Sequence, residues 1–137
     1  MDESIYKQAK NALNVSREHF VKFIDSLPQM AWAGQVNGKI LYFNKAWNAY
    51  TGMPAGNTIG WLKAVHPEDS CYVIEAWKNA PLTGDYNVEC RMRNGADDSY
   101  KWFLEQALPI RDEQGKDIIW FGTYTDINDE KQGIEPL

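Results

Sequence analysis

A chain of 137 residues, of which 44% are hydrophobic and 13% aromatic, is long enough for one domain with a packed core that needs no disulfide or metal. Its formal net charge of −5 argues against a nucleic-acid surface, because phosphate binding needs clustered Lys and Arg. No apolar run approaches the roughly 18 residues that span a bilayer, and the polar first ten residues form no secretory signal. We therefore expect a cytoplasmic chain without a nucleic-acid or membrane partner.

The N-terminal segment has apolar residues at helical spacing from Ile5 to Leu27, and neither Pro nor Gly interrupts it before Pro28. This pattern predicts one long helix or two abutting helices, with Ser4 or Ser16 available as an N-cap. The part up to about Ser16 is thinly apolar. We expect it to pack on a partner or on the outer face of a sheet.

The period then changes to that of β-strands. Apolar segments at 30–34 and 40–44 flank Asn37-Gly38, a strong signal for a tight hairpin turn. Asn44 can cap a following helix, which Gly52 ends. Short helices are predicted over 53–81.

The stretch His66-Pro67-Glu68-Asp69 is predicted to begin the longer of these helices, because Pro fits a first turn and carboxylates favour the positive end of the helix dipole. An alternative is acid and base chemistry at His66. Neighbouring residues of one turn point in different directions, however, so capping is the better account. The sequence shows no nucleophile motif and no phosphate-binding glycine loop, and we expect no enzyme.

Three strands complete the predicted sheet. Residues 86–93 alternate between apolar and polar, which places Tyr86, Val88, Cys90 and Met92 on one face. Residues 100–108 and 117–127 flank a break at 111–116 and predict a central hairpin. The order of two strands, several helices and three strands predicts an α+β fold with an antiparallel sheet and its helices on one face.

The two cysteines, Cys71 and Cys90, lack the spacing of a metal site and belong to different predicted elements. We expect both to be reduced core residues.

A series of short motifs runs from Phe20 to Lys131, and their order is more specific than any one of them. They are Ser26-Leu27-Pro28-Gln29, the run from Asn37 to Trp47, Tyr50-Thr51-Gly52, Val65-His66-Pro67-Glu68-Asp69, Glu89-x-Arg91-x-Arg93, Tyr100-Lys101-Trp102, Pro109-x-Arg111-Asp112-x-x-Gly115 and Gly122-Thr123-x-Thr125-Asp126-Ile127. Together they resemble the PAS family, in the form with a C-terminal PAC segment that is common in bacterial signalling proteins.

The resemblance implies a PAS fold: a five-stranded antiparallel sheet in the order 2-1-5-4-3, with short helices on one face and an N-terminal flanking helix. It divides the chain into an N-terminal amphipathic helix at 1–19, a PAS/PAC sensory domain at 20–131 and a short C-terminal tail at 132–137. The helices of this family close a small cavity against the sheet.

The facing rule of the family, applied to this sequence, predicts which side chains surround that cavity. The predicted ligand-binding residues are Trp32, Tyr42, Cys90, Met92, Phe103, Glu105, Trp120 and Tyr124. Glu105 stands out, because an unpaired carboxylate on an apolar face is costly. It needs the hydroxyl of Tyr42 or Tyr124, a water or a cationic or hydrogen-bonding ligand, unless the strand end lets it reach solvent.

Gly122 leaves the centre of this wall without a side chain. A glycine inside a strand marks the close approach of a backbone or ligand, or the packing of a neighbouring side chain. Since Trp32 and Trp120 lie near it in the predicted sheet, packing is the favoured explanation.

The resemblance also limits which cofactors the domain is expected to bind. Flavin-binding light sensors of this family need a reactive Cys on the short helix that reads Ile59-Gly60-Trp61-Leu62-Lys63 here, and Cys71 lies beyond it. Covalent flavin chemistry is therefore disfavoured, although noncovalent flavin stays open. Haem is disfavoured because residues 72–93 contain no His to serve as axial ligand. An unidentified small organic ligand, or none, remains.

The end of the last strand carries the output in this family. Here Asp126-Ile127-Asn128 has Asn where the family has Thr, and Asn128 is expected to cap a helix that begins at Asp129. Gly133 and Pro136 oppose its continuation. Asp126 and Asn128 are therefore the predicted output residues, in a fragment of a larger receptor or in a stand-alone protein.

Two functions from different classes follow. The first is a sensory module that binds a small organic ligand or a partner and transmits the signal by rearranging helices in a homodimer formed through the N-terminal helix, acting on an effector domain or partner signalling protein. The alternative is a ligand-free dimerisation or interaction module with a filled core, in which Trp32, Trp61, Trp77 and Trp120 occupy the volume that a ligand would need.

Overall fold

The computed structural model describes residues 1–133. Its elements, in chain order, are α1 (Glu3–Val15), α2 (Arg17–Ser26), β1 (Ala31–Gly34), β2 (Ile40–Phe43), α3 (Lys45–Thr51), a 3₁₀ helix (Trp61–Ala64), α4 (Ser70–Thr83), β3 (Tyr86–Arg93), β4 (Tyr100–Arg111), β5 (Asp117–Asp126) and α5 (Asn128–Lys131). The strands form one antiparallel sheet in the order β2-β1-β5-β4-β3, which confirms the predicted topology. Most of the predicted tail, from residue 134 on, lies outside the described residues. Within 1–133 no helix is both long and apolar enough to cross a membrane.

The N-terminal segment forms two helices, and Ser16 separates them. Ser16 ends α1 in an extended conformation, and its Oγ accepts the backbone N–H of His19 at 3.0 Å to cap α2. The cap of α1 is Asp2 and not Ser4, because the Asp2 carboxylate accepts the N–H of Ser4 at 2.7 Å. A carboxylate at this position also favours the positive end of the helix dipole.

Both helices cover the outer face of the sheet, one of the two locations predicted for the first of them. The buried residues of this outer core are Ala9, Phe20, Ile24, Ala31, Ala33, Ile110, Ile119 and Phe121. Phe20 meets Phe121 edge to face with 6.0 Å between ring centroids, and the Tyr6 hydroxyl donates to the carbonyl of Pro109 at 2.7 Å. The apolar stripe of α1 therefore packs on the outer core of its own chain, with Ala9 fully buried and Ile5, Tyr6 and Leu13 partly buried.

The hairpin of β1 and β2 has a tight turn at the predicted position. The N–H of Gly38 donates to the carbonyl of Gln35 at 2.9 Å and the N–H of Gln35 to the carbonyl of Lys39 at 2.7 Å, with Gly38 at a φ of +93°. The strand pairing beside this turn departs from the prediction. Ala33 pairs with Tyr42 whereas Gly34 pairs with Ile40, so the strand carries a β-bulge that leaves Leu41 without a partner.

This bulge reverses the predicted facing of Tyr42. Ile40 and Phe43 both contact the inner core, whereas Tyr42 packs with the outer core and its hydroxyl donates to Asp25 at 2.6 Å. The prediction of Tyr42 as a cavity residue is therefore wrong, because strict alternation does not hold across an inserted residue.

The predicted helix start at 66–69 is a turn, and α4 begins only at Ser70. The Asp69 carboxylate does not cap the helix; it accepts hydrogen bonds from the backbone N–H of Arg91 at 2.8 Å and from its guanidinium at 2.9 and 3.0 Å. His66 Nδ1 accepts the N–H of Glu68 at 3.0 Å. The stretch thus has a structural role, but as a bridge to β3 and not as a helix cap.

The last three strands agree with the sequence prediction. The bounds and the alternating burial of β3 are as predicted. In the turn between β4 and β5, Asp112 Oδ1 accepts the N–H groups of Gln114 and Lys116, each at 2.9 Å, and Gly115 supplies a positive φ.

The two cysteines differ. Cys90 is buried in β3 as predicted, whereas Cys71 is exposed, so its prediction as a core residue is wrong. Cys71 is the second residue of α4, and the buried residues of that helix are Val73 and Ala80. Nowhere in residues 1–133 do His, Cys, Asp and Glu side chains gather as a metal site would require.

Candidate binding site at the inner face of the sheet

Glu105 is a buried carboxylate at the centre of the inner face, with only 6% of its surface exposed. The indole N–H of Trp32 donates to its Oε2 at 2.8 Å, and the Tyr86 hydroxyl donates to its Oε1 at 3.0 Å. Tyr124 lies directly opposite in the β4–β5 ladder. Both carboxylate oxygens therefore have protein partners, and Tyr42 is not among them.

The environment of Glu105 shifts its protonation. Burial raises its pKa to about 7, although the neighbouring Tyr124 hydroxyl and the hydrogen bonds from Tyr86 and Trp32 oppose this shift. Burial, followed by the charge of Glu105, also raises the pKa of the Tyr86 hydroxyl and of the Cys90 thiol. Cys90 is therefore a protonated, unreactive thiol at neutral pH.

Gly122 makes room for the indole that binds Glu105. A Cβ atom on Gly122 would lie 2.2 Å from Cε2 and 2.3 Å from Nε1 of Trp32, well inside van der Waals contact. The two residues are paired in the β1–β5 ladder. This arrangement confirms the packing explanation for the glycine.

Aromatic side chains fill the space between the sheet and the helices. The Trp77 ring of α4 meets Trp32, Tyr86 and Trp120 edge to face, with centroids 5.1, 5.3 and 5.5 Å apart. Its indole N–H donates to the carbonyl of Gly38 at 3.1 Å, which fixes the ring against the β1–β2 loop. The remaining central cavity has a volume of about 10 Å³, and it is lined by Trp32, Ile40, Phe43, Trp61, Trp77, Tyr86, Glu105 and Tyr124. Such a space holds about one water molecule.

A larger opening lies beside this cavity and is called here the side groove. Its volume is about 390 Å³, and its lining residues are Pro28, Gln29, Met30, Ala46, Tyr50, Lys101, Phe103, Tyr124 and Asp126. The Tyr50 and Phe103 rings are 5.3 Å apart and those of Phe103 and Tyr124 6.3 Å apart, both edge to face. Tyr124 lines the groove and the central cavity at once.

The predicted ligand-binding residues thus separate into five groups. Trp32 and Glu105 line the central cavity, Phe103 lines the side groove, and Tyr124 lines both. Cys90, Met92 and Trp120 are packed into the inner core and line neither opening, and Tyr42 lies on the outer face.

Sequence reasoning missed the contribution of α3 to the side groove. Ala46 and Tyr50 are four residues apart and therefore lie on one face of that helix. Their spacing was the available signal. The Tyr50 hydroxyl donates to the carbonyl of Met92 at 3.0 Å, and burial, with the charges of Asp126 and Asp97, raises its pKa to about 12. Tyr50 is consequently neutral at physiological pH.

Hydrogen bonds connect the C-terminal end of β5 to β4. Asp126 Oδ1 accepts the N–H of Asn128 at 2.9 Å, and Asn128 Oδ1 accepts the N–H of Trp102 at 3.1 Å. The predicted capping role of Asn128 is therefore wrong, because its side chain bonds to β4, and Ile127 occupies the cap position of α5 without a side-chain hydrogen bond. Two basic side chains form cation–π contacts with the Trp102 ring: Arg91 Cζ lies 4.9 Å and Lys131 Nζ 4.6 Å from the ring centroid.

Comparison with known proteins identifies the family. The family model described as PAS fold matches residues 40–124, more than half of the chain. The chain therefore belongs to the PAS-fold family, whose members are typically sensory modules of signal-transduction proteins and not catalytic units.

Similar proteins place such domains within longer chains. The chain is 31% identical over 140 residues to the uncharacterised protein y4lL of Sinorhizobium fredii, covering all of this chain but 17% of that protein. It is 31% identical over 111 residues to the peroxide stress-activated histidine kinase mak1 of Schizosaccharomyces pombe, covering 79% of this chain and 7% of the kinase. The crystal structure of a PAS domain from Colwellia psychrerythraea has a TM-score of 0.62 and 20% identity, over 82% of this chain and 98% of that one.

Proposed function

We propose that this chain is a regulatory PAS module of a cytoplasmic signal-transduction protein, and that its core works without a bound ligand. The observation that supports this most is the central cavity of about 10 Å³. Pockets for small molecules generally measure about 300 to 1,000 Å³. Trp32, Trp77 and Trp120 occupy the space in which such a ligand would sit. The module has no catalytic role in this proposal.

The proposed signal passes through the sheet, because β1 belongs to both cores. Trp32 packs in the inner core, whereas its neighbours Ala31 and Ala33 pack in the outer core beneath α1 and α2. A displacement of Trp32 would therefore move Ala31 and Ala33 and change how α1 and α2 pack on the sheet. On β5, Tyr124 and Asp126 connect the same inner face to α5. A signal acts by favouring one of two arrangements of these elements, in proportion to its differential affinity for them.

The proposed output is a homodimer formed through α1, which then acts on an effector domain or partner protein. Two observations support repacking of this helix. Ala9 is its only fully buried residue among those described, so few contacts hold it on the sheet. Val15 at its end is 66% exposed and offers apolar surface to a second chain. Light scattering on the purified chain tests the dimer, and Val15→Asp should shift it toward the monomer.

Native mass spectrometry tests the filled core. We expect the purified chain to have its sequence mass, with no organic molecule retained. A variant with Ala46→Trp, which fills the side groove, separates the two openings. An organic molecule held at one per chain in both wild type and this variant would place a ligand in the core and overturn the proposal.

A second function, response to a small organic ligand, is favoured by the side groove. Its volume of about 390 Å³ falls within the range of small-molecule sites. A ligand there would touch β1, α3 and the exit of β5 without entering the core.

A further inference from the structure

We infer that the side groove is a binding site for a small organic cation, an amine with an aromatic or other apolar body. The inference rests on the second function proposed above and names the chemical class of its ligand; it does not depend on the core being filled. The shape of the groove suits a ligand with an apolar body. Side chains from the α2–β1 link, α3, β4 and β5 converge on it, and three of those lining it, Met30, Phe103 and Tyr124, are among the buried residues of the core. An apolar body thus has a buried wall to pack against.

Three aromatic rings line the groove. Tyr50, Phe103 and Tyr124 border the same opening in successive edge-to-face contacts. Aromatic rings attract organic cations through their quadrupoles, and this attraction grows as the cation loses water. Tyr50 stays neutral at physiological pH, because its pKa is raised to about 12. The rings therefore favour a flat or cationic ligand over an anion.

The rim of the groove carries charged side chains. Asp126 lines the groove, and Asp129 and Glu130 line the space that adjoins it, whereas Lys101 is the single basic residue in either lining. Within residues 1–133, neither Asp126 nor Lys101 forms a salt bridge. The hydrogen bond in which Asp126 Oδ1 accepts the N–H of Asn128 leaves the carboxylate free to accept from an ammonium group. In the groove itself Asp126 balances Lys101, and the two carboxylates of the adjoining space make the surrounding charge negative, which favours a cation.

The groove lies beside the elements that carry the proposed signal, β1 and β5. The side chain of Tyr124 lines both the groove and the central cavity. Its backbone N–H donates to the carbonyl of Met30 at 3.0 Å, which joins β5 to the residue before β1. Asp126 begins the link to α5. A ligand in the groove thus contacts the elements that carry the proposed signal.

Isothermal titration of the full chain with three matched probes tests this inference: phenethylamine, its neutral analogue 2-phenylethanol and the anion phenylacetate. We expect phenethylamine to bind roughly fivefold or more tightly than the alcohol, the gain of one partly exposed ion pair. Phenylacetate should bind least. The affinity of the protein for phenethylamine should fall as the salt concentration is raised, because salt screens the rim charges.

Variants of the rim and the wall assign the site. Asp126→Asn should weaken phenethylamine binding roughly fivefold and leave 2-phenylethanol unchanged. Lys101→Gln should leave the amine bound at least as tightly as in wild type, and Ala46→Trp should abolish binding of both. Equal binding of the three probes, preference for the anion, no binding at all, an amine affinity unchanged by Asp126→Asn, or amine binding that persists in Ala46→Trp would each overturn the inference. None of these results bears on the filled core, which the retained-ligand experiment tests separately.

Discussion

The indole N–H of Trp32 and the carboxylate of Glu105 are joined by a hydrogen bond of 2.8 Å inside the inner core. This pair links β1 to β4 across β5, which lies between them in the sheet. The indole reaches across because Gly122 of β5 has no side chain in its path. The arrangement explains how a carboxylate, a tryptophan and a glycine occupy one apolar face.

Replacing Gly122 with Ala should destabilise the protein by about 2 to 4 kcal/mol, because the added Cβ overlaps the Trp32 ring and forces it away from Glu105. Chemical denaturation measures the change. A double-mutant cycle provides the control: in a Trp32→Ala background the added methyl group has room, and the cost of Gly122→Ala should largely disappear. An equal cost in both backgrounds would contradict the packing described.

Glu105→Gln should change how stability depends on pH. Because burial raises the pKa of Glu105 to about 7, the folded chain holds a proton that the unfolded chain has already released. The free energy of unfolding of the wild type should therefore fall as pH rises from about 4.5 to 7, by an amount on the order of 3 kcal/mol. The Gln variant should lack this decline. Parallel pH profiles for the two proteins would show that Glu105 is solvated.

Asp69 should have the opposite pH dependence. Hydrogen bonds with Arg91 hold the pKa of Asp69 below its usual range. The stability that Asp69 contributes to the folded protein is therefore fully present above about pH 4 and is lost as pH falls through the lowered pKa. With its side chain 12% exposed, Asp69→Asn should cost about 1 to 3 kcal/mol at pH 7.

Glu68→Gln is the matched control for Asp69→Asn. Glu68 also bonds to Arg91, at 3.1 Å, but its side chain is 75% exposed. We expect less than about 1 kcal/mol from this change, since exposed ion pairs contribute little. A larger effect from Glu68 than from Asp69 would contradict the bridge between the turn at 66–69 and β3.

Asn128→Ala should loosen α5, because it leaves the partly buried N–H of Trp102 without its acceptor. Amide hydrogen exchange at Trp102 should become faster, with a loss of about 1 kcal/mol in stability. Asn128→Asp keeps the acceptor and should preserve protection. If both variants exchange like wild type, the β5 exit is not fastened to β4 in this way.

The local parts of the fold could be predicted from the sequence, because short-range chemistry determines them. The alternation in β3 and the turn around Gly115 depend on neighbouring residues alone. Tyr42 could not be placed, since the bulge at Leu41 depends on how β1 pairs with β2. The Asp69 carboxylate was expected at a helix end, but a side chain from β3 competes for it.

The candidate sites were less predictable for the same reason. Glu105 could be identified as anomalous from its place in the strand pattern. Its partners Trp32 and Tyr86 could not, because they belong to two other strands, β1 and β3, whose positions in the sheet the pattern within β4 does not give. The side groove joins Met30, Tyr50 and Phe103, whose approach is a property of the assembled fold. Sequence patterns show which face of an element is apolar, but not whether the facing side chains fill the space between them.

A crystal structure of the purified chain under xenon pressure tests most directly whether the core is filled. A cavity of about 10 Å³ admits one water molecule, whereas dry apolar cavities that bind xenon are on the order of 150 Å³. We predict no density larger than a water between Trp32 and Trp77, and no xenon there. A xenon atom or an organic molecule between these rings would contradict the filled core.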